Sequence, residues 1–164
     1  MKEIIGQFSY QEIPKGTILC HQGSIIRYMY FVEKGIARSF TFDDKGKEIT
    51  SSFFREGMPM TLSDSFFGRE PSHQGLEVLE DTVLYAISFD QFANLFEQYP
   101  HLEKVKSETL YRFLINANKR IIQLQYLSAR ERYEFLLAET PEILNRVPLG
   151  MVASYLGMSQ ETLS

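Results

Sequence analysis

Four polar residues near the end of the chain carry side chains that can recognise base pairs. Ser159, Gln160, Glu161 and Ser164 fall within the first turns of a predicted helix. A Gln amide can pair with adenine, a carboxylate can accept a hydrogen bond from cytosine N4, and a Ser hydroxyl can contact a base or a phosphate. These side chains are therefore candidates to contact double-stranded DNA, while Leu163 is expected to point back to the core.

The segment before these residues predicts a helix followed by a tight turn. Pro148 suits the first turn of a helix, because its missing N–H is not needed there. An apolar face follows at helical spacing, formed by Leu149, Val152, Ala153 and Leu156. Gly157 is typical of a left-handed helix end, and Ser159 can cap the next helix. A helix-turn-helix DNA reader begins in this way, although an ordinary pair of packed helices would show the same pattern.

The composition predicts a folded, soluble protein without a large excess of positive charge. The chain has 164 residues, of which 44% are hydrophobic and 13% aromatic, ample for a packed core. The formal charge of −4 means that DNA binding would need basic groups clustered on one face, or supplied after Ser164. No apolar run approaches the length of a membrane span and no signal-peptide pattern begins the chain, which predicts a cytoplasmic location.

Upstream of Pro100 the sequence predicts an antiparallel barrel or sandwich of short strands. Apolar segments alternate with turns, and the predicted strands cover residues 17–20, 28–32, 36–42, 48–54, 76–79 and 83–87. Residues 43–46, with the sequence Asp-Asp-Lys-Gly, form a good hairpin turn. Asp90 is expected to cap a short helix that ends at Pro100.

Downstream of Pro100 the hydrophobic period becomes helical and predicts a long helix with a seam of heptad spacing. The seam positions alternate four and three residues apart and are Leu110, Leu114, Ala117, Ile121, Leu124 and Ser128. The small side chain of Ala117 would let two helices approach closely. This pattern favours self-association through the helix, although a single amphipathic helix lying on its own barrel would also show it.

Several short motifs, taken in order, resemble the cyclic-AMP receptor/fumarate–nitrate regulator (Crp/Fnr) family of bacterial transcription factors. They are Pro14-Lys15-Gly16, Gln22-Gly23, residues 28–35, residues 44–48, the seam helix, Arg132-Tyr133 and residues 156–164. The resemblance implies an α+β fold: a jelly-roll type antiparallel β-roll over residues 1–100, a dimerisation helix over 101–128 and an incomplete winged helix-turn-helix over 129–164. It also implies a homodimer that reads a palindromic operator and contacts RNA polymerase.

The sequence departs from the family pattern in the residues that hold a cyclic nucleotide. Members that bind cyclic AMP carry Gly-Glu in the loop after the central Gly of the barrel, followed by an Arg and a small hydroxyl residue. Counting on from Gly57, Thr61 and Leu62 replace the Gly-Glu pair, Ser72 replaces the Arg, and His73 replaces the small residue. Leu62 cannot accept a ribose hydroxyl, and no guanidinium holds the phosphate. We therefore predict no cofactor and no cyclic AMP binding of the usual kind.

The same loop carries residues that could line a modest pocket for an uncharged or organic effector. The candidates are Thr61, Leu62, Ser63, Ser72, His73 and, on the seam helix, Asn118. A filled roll that takes no ligand is an equal alternative, because Met and Phe side chains in such a loop are more often part of the core.

Other sensing and catalytic chemistry finds little support among the residues. Cys20 alone excludes an iron–sulfur cluster of the family's usual form, and it is expected to be a buried apolar residue. His21, His73 and His101 are scattered, so no metal site, no haem and no enzymatic activity are predicted. Two alternatives stay open: a dimeric β-roll module that binds a ligand or partner without DNA, and a metal enzyme built on a β-roll.

The last residue of the sequence falls inside the predicted reading helix. The next specificity residue of the family, usually Arg, would follow Ser164, as would the rest of the recognition helix and the wing. A chain that ends at Ser164 is therefore expected to bind DNA poorly. A continuation that starts with Arg and is rich in basic residues would favour the DNA reader over the binding module.

Overall fold

A computed structural model describes residues 2–163, which form two compact units that divide after Ala93. The strands are β1 (Ser9–Ile13), β2 (Ile18–Cys20), β3 (Tyr28–Lys34), β4 (Ala37–Phe42), β5 (Glu48–Phe54), β6 (Pro59–Met60), β7 (Gly75–Val78) and β8 (Thr82–Ser88). The helices are α1 (Lys2–Ile5), α2 (Ser63–Gly68), α3 (Phe89–Gln98), α4 (Glu103–Tyr126), α5 (Ala129–Glu139), α6 (Ile143–Arg146), α7 (Leu149–Leu156) and α8 (Gln160–Leu163). A 3-10 turn at Pro100–Leu102 precedes α4.

The first unit contains two four-stranded antiparallel sheets. One has the strand order β1-β8-β3-β6 and the other β2-β7-β4-β5. Strands far apart in the sequence pair in both sheets, as where Tyr10 lies opposite Tyr85 and Ala37 opposite Val78. The predicted antiparallel β-roll is therefore confirmed, and the long helix and shorter helices that follow complete the predicted α+β fold.

The hairpin between β4 and β5 forms where the sequence predicts it. The Asp43 carboxylate accepts the backbone N–H groups of Lys45 and Lys47 at 2.9 and 2.8 Å. The N–H of Gly46 donates to the Asp43 carbonyl at 2.9 Å, and Gly46 has φ of 74°. An acidic side chain that accepts the backbone N–H groups of its own turn, followed by a glycine that tolerates positive φ, stabilises this hairpin at a fixed turn.

Apolar side chains from both sheets fill the interior of the roll. Among those exposed by no more than 2% are Met29, Val32, Leu76, Leu84 and Ile87. Gly35, between β3 and β4, has φ of 110°, and a Cβ there would lie 2.4 Å from the Thr82 hydroxyl oxygen. Any larger residue at Gly35 would therefore combine backbone strain with a clash against β8.

Arg38 on β4 is a charged residue that the roll buries, with an exposure of 3%. Its guanidinium donates to Glu77 Oε2 from Nε at 3.0 Å and from Nη2 at 2.7 Å, and it also pairs with Glu48. A further hydrogen bond from Nη1 reaches Thr50 Oγ1 at 3.1 Å. The burial of this charge is tolerated because two carboxylates and a hydroxyl replace the lost water.

The start of α3 differs from the prediction. Ser88, not Asp90, caps the helix: Ser88 Oγ accepts the Gln91 N–H at 3.3 Å, and Gln91 Oε1 accepts the Ser88 N–H at 3.1 Å. A Ser followed three residues later by Gln makes this reciprocal box and displaces the cap two residues upstream of Asp90. Asp90 lies in the first turn instead, where its charge favours the helix dipole.

The long helix α4 does not reach the last predicted seam position, Ser128. It ends at Tyr126, and Ser128 instead caps the start of α5. Ser128 Oγ accepts the Glu131 N–H at 3.3 Å, and Glu131 Oε2 accepts the Ser128 N–H at 2.7 Å. This capping box holds Ser128 in an extended conformation, with ψ of 163°, which a continuing helix does not allow.

Candidate nucleic-acid interface

The predicted helix and turn before the polar residues are both present. Helix α7 buries Val152, Ala153 and Leu156, which are 0%, 2% and 1% exposed. Leu149 at its first turn is half-buried. The Pro148 carbonyl accepts the N–H groups of Met151 and Val152 at 2.9 and 3.2 Å, as the residue that precedes a helix should. The apolar face of α7 is thus the one predicted from its spacing.

The turn between α7 and α8 depends on Gly157, which adopts the left-handed conformation with φ of 69° and ψ of 38°. Its N–H donates to the Ser154 carbonyl, and the N–H of Met158 donates to the Ala153 carbonyl, each at 3.0 Å. These two bonds are a Schellman helix ending, which glycine adopts at the least steric cost. Ser159 then caps α8, because its Oγ accepts the N–H of Thr162 at 3.2 Å.

Three of the four predicted DNA-contacting residues lie in the described part of the chain. Ser159, Gln160 and Glu161 are all exposed where α8 begins. The side chain of Gln160 folds back over α7, however, and its Oε1 lies 3.0 Å from where a Cβ on Gly150 would be. Gln160 must therefore swing away from α7 before it can reach a base. Ser164 lies outside the described residues.

The predicted effector loop is organised by the carboxylate of Asp64, in the first turn of α2. Its Oδ1 accepts the Ser65 N–H at 2.8 Å, and its Oδ2 accepts the His73 N–H at 3.2 Å. The hydroxyl of Ser72 lies 3.2 Å from both oxygens, and Ser72 is only 2% exposed. Asp64, which is not among the predicted site residues, thus holds this loop in place. The available signal was an acidic residue at the start of a short helix.

The other candidate effector residues are only partly brought together. Thr61 and Leu62 are buried, at 5% and 2% exposure, and Thr61 Oγ1 donates to the Tyr28 carbonyl at 3.4 Å. Ser63 is exposed at the start of α2, as is His73 in the loop that follows it. The sixth candidate, Asn118, is exposed on α4 in the second unit.

All five seam residues assigned to α4 lie on its exposed side. Leu110, Leu114, Ile121 and Leu124 are 38%, 68%, 52% and 49% exposed, and Ala117 is exposed between them. Although α4 has 24 residues, none of them is buried. Large apolar side chains that remain this accessible along a helix mark a surface that another molecule can cover.

The exposed apolar surface of α4 is wider than the predicted seam. Tyr111, Ile115 and Ile122 are 63%, 52% and 46% exposed and border the seam along one side, at 100° per residue. Their own repeat of four and seven residues was the signal in the sequence. The term α4 face is used below for Leu110, Tyr111, Leu114, Ile115, Ala117, Ile121, Ile122 and Leu124.

Cys20 is buried at 6% exposure, as predicted, and burial raises the pKa of its thiol, with a smaller contribution from the charge of Asp64.

Within residues 2–163, no three His, Cys, Asp or Glu side chains come together as a metal site would require. None of the helices described in this part of the chain is long and apolar enough to cross a membrane.

Comparison with protein families finds one match that covers more than half of the chain. The family model for the cyclic nucleotide-binding domain matches residues 10–99. Two curated relatives, both named anaerobic regulatory protein, come from Aggregatibacter actinomycetemcomitans and Pasteurella multocida (strain Pm70) and are 24% and 23% identical. Each alignment covers 93% of this chain, which spans only 63% and 59% of the lengths of these relatives.

Solved structures share the fold over nearly all of the chain. FixK2 from Bradyrhizobium japonicum matches with a TM-score of 0.80 and 19% identity, covering 95% of this chain and 80% of that one. A protein from Eubacterium rectale, described as a transcriptional regulator of the Crp/Fnr family, matches with a TM-score of 0.76 and 22% identity, covering 99% and 78%. The catabolite activator protein of Thermus thermophilus matches with a TM-score of 0.64 and 22% identity, also covering 99% and 78%.

Proposed function

This chain belongs to the cyclic nucleotide-binding domain family, and from that premise we propose that it is a homodimeric transcription regulator of the Crp/Fnr type that binds DNA. The observation that carries the proposal is the pair α7 and α8, joined at Gly157 and capped by Ser159. In such a pair the second helix enters the major groove, and its N-terminal residues contact base edges. We assign Ser159, Gln160, Glu161 and Ser164 to these contacts.

The α4 face supports the second part of the proposal, a homodimer. Two α4 helices packed through this face would hold two α8 helices at a fixed separation. Major grooves on one side of DNA recur about every 34 Å, so the dimer would read the two halves of a palindrome. The bound dimer would then act on transcription through RNA polymerase, in the cytoplasm.

We also propose that the roll does not bind cyclic AMP in the manner of the relatives that do. Leu62 is buried and offers no acceptor to a ribose, and the hydroxyl of Ser72 is already bonded to Asp64. The Asp64 carboxylate adds negative charge beside Ser72, at the position where an Arg would hold a phosphate in those relatives. Titration calorimetry with cyclic AMP should give no binding heat, and micromolar affinity would overturn this part of the proposal.

Selection from a pool of random duplex DNA tests the DNA-binding proposal. The full-length gene product should enrich a palindrome, and Glu161→Ala should change the preferred base at one position of each half-site. Lys45→Ala, which alters an exposed residue of the β4–β5 hairpin, should enrich the wild-type sequence. If the folded dimer enriches no sequence, the DNA reader is the wrong function.

The formal charge of −4 favours a second candidate, a dimeric module that binds a ligand or partner without DNA. Salt dependence separates the two candidates. A DNA reader loses affinity for duplex DNA steeply as salt rises, because phosphate contacts release counterions. The module would show no measurable duplex binding even at low salt. Both candidates are regulatory, as are the curated relatives by name, and neither requires a catalytic residue.

A further inference from the structure

The C-terminal end of α7 is completed by two arginines from other helices. A helix leaves its last four carbonyls without helical N–H partners. In α7, the Schellman turn provides donors to the carbonyls of Ala153 and Ser154. The Tyr155 carbonyl accepts from Nη2 of Arg120, and the Leu156 carbonyl accepts from Nε of Arg132 at 2.7 Å. Each of the four carbonyls therefore has its own donor.

These two arginines come from the elements that precede α7 in the second unit. Arg120 lies on α4, and its guanidinium carbon is 3.9 Å from the centre of the Tyr155 ring. Arg132 lies on α5 and also donates from Nη1 to the Leu127 carbonyl, at 2.7 Å, at the point where α4 ends. One guanidinium thus joins α4 to α7 directly, and the other joins the end of α4 to the end of α7.

We propose that Arg120 and Arg132 are positioning residues that fix the DNA-reading helix to the dimerisation helix. This pair of arginines is called the clamp below. The proposal rests on the function proposed above, since it gives the reader a defined direction relative to α4. Only Gly157, Met158 and Ser159 separate the clamped end of α7 from α8. A small tilt of α7 would therefore move the N-terminal turn of α8 by a comparable angle, and the half-site spacing would change with it.

The chemistry of the two contacts explains why arginine is used. A guanidinium is planar and carries several donors in a fixed fork, so Arg132 can serve two carbonyls at once and Arg120 can bond a carbonyl while it stacks on a ring. The positive charge is also favourable at a helix C-terminus. A Lys side chain supplies the charge but neither the fork nor the flat stacking surface.

Spin-label distances between α4 and α8 test the proposal without DNA. Cys20→Ser removes the native thiol, and Asn116→Cys with Thr162→Cys places labels on exposed positions of the two helices. Dilution with unlabelled chain restricts the signal to distances within one chain. The otherwise unchanged protein should give one narrow distance distribution, and both Arg120→Ala and Arg132→Ala should broaden it.

Two matched variants serve as controls. Arg112→Ala changes an exposed arginine of α4, and Arg130→Ala changes an exposed arginine of α5 that pairs with Glu134. Both should leave the distribution narrow. Arg120→Lys and Arg132→Lys should give intermediate widths, and they provide a folded readout if either alanine variant loses its helical circular dichroism. Distributions that stay narrow in the folded variants at positions 120 and 132 would overturn the proposal.

Measuring binding to the selected operator distinguishes failure of the clamp proposal from failure of the proposed DNA-binding function. Loss of one charged hydrogen bond should weaken operator binding roughly tenfold. The clamp variants should also discriminate less between the selected spacing and a spacing changed by one base pair. Broad distances in a protein that never binds DNA would retain the clamp and reject the reader. Unchanged affinity and unchanged spacing preference in Arg120→Ala and Arg132→Ala would reject the clamp alone.

Discussion

The roll and the helical unit differ in how completely they bury the apolar side chains of their longest elements. The roll buries Met60, Phe66 and Leu84 completely, pairs the charge of Arg38, and holds the loop that contains Ser72 and His73 through hydrogen bonds to Asp64. The helical unit instead leaves every residue of its longest helix, α4, unburied. The roll is thus closed within a single chain, while α4 presents an exposed apolar surface that we propose a second copy of the chain covers.

The α4 face is large enough for its burial to stabilise an association substantially. Full burial of one Leu or Ile side chain contributes about 1.5–3 kcal/mol relative to leaving it exposed. Leu114, Ile115 and Ile121 are each more than half exposed. A paired α4 helix would recover much of this free energy.

Introducing a charge into the α4 face should have the largest effect. Leu114→Glu would place a carboxylate in the dimer interface, and burial of an unpaired charge is strongly unfavourable. We expect the variant to be monomeric by light scattering, with the roll still folded. Asn116→Glu adds the same charge at an exposed position of α4 outside the face and should stay dimeric. A dimeric Leu114→Glu protein would show that the interface lies elsewhere.

Removing the buried charge of the roll should reduce stability without affecting the dimer. Arg38→Ala leaves Glu77, which is only 19% exposed, without its cation, and breaking a buried pair costs about 3–5 kcal/mol. Urea unfolding should show this loss, with the mass of the folded protein unchanged. The double variant Arg38→Met with Glu77→Met should recover a large part of the loss. A single variant as stable as the wild type would mean that the pair does not support the roll.

Removing the carboxylate that holds the loop of Ser72 and His73 should have a smaller effect. Asp64→Ala removes the acceptor of the buried Ser72 hydroxyl and of two backbone N–H groups, for an expected loss of about 1–3 kcal/mol in unfolding free energy. Asp44→Ala, at an exposed position of the hairpin, should change stability by less. Equal urea midpoints for the two variants would argue that Asp64 does not hold the loop.

The cap of α5 should give the smallest effect, and one that depends on pH. Hydrogen bonds from the side chain and backbone of Ser128 hold the pKa of Glu131 below its usual value. A lowered carboxyl pKa stabilises the fold above the unfolded-state pKa of about 4.3, and this contribution disappears as the pH falls through the folded-state value. The urea midpoints of wild type and Glu131→Gln should therefore converge in acid. A difference that stays constant from neutral to acidic pH would contradict this origin.

The features that could be predicted from the sequence are those set by local chemistry. The Asp43-to-Gly46 turn fixes a hairpin because its hydrogen bonds form within five residues. The apolar face of α7 and the turn at Gly157 likewise follow from helical spacing and from the conformation that glycine tolerates. The long helix α4 could be predicted because the apolar repeat persists over two heptads.

The features that the sequence did not reveal depend on partners far along the chain. Strand β1 pairs with β8 more than sixty residues later, and its sequence Ser-Tyr-Gln-Glu-Ile alternates too weakly to indicate a strand alone. The partners of Arg120 are the carbonyl and ring of Tyr155, 35 residues away. A backbone carbonyl has no sequence signature, so this contact appears only when α4 and α7 are seen together. The Gln160 side chain follows the same rule, since only the fold reveals Gly150 beside it.

The mass of the unmodified chain in solution tests the central claim most directly. If the roll is complete alone and α4 is completed by a second copy, sedimentation equilibrium should give twice the chain mass of 19.1 kDa. Dilution should lower the mass toward that of one chain without unfolding the roll, as judged by circular dichroism. A folded protein that sediments at 19.1 kDa at every concentration reached would contradict the claim.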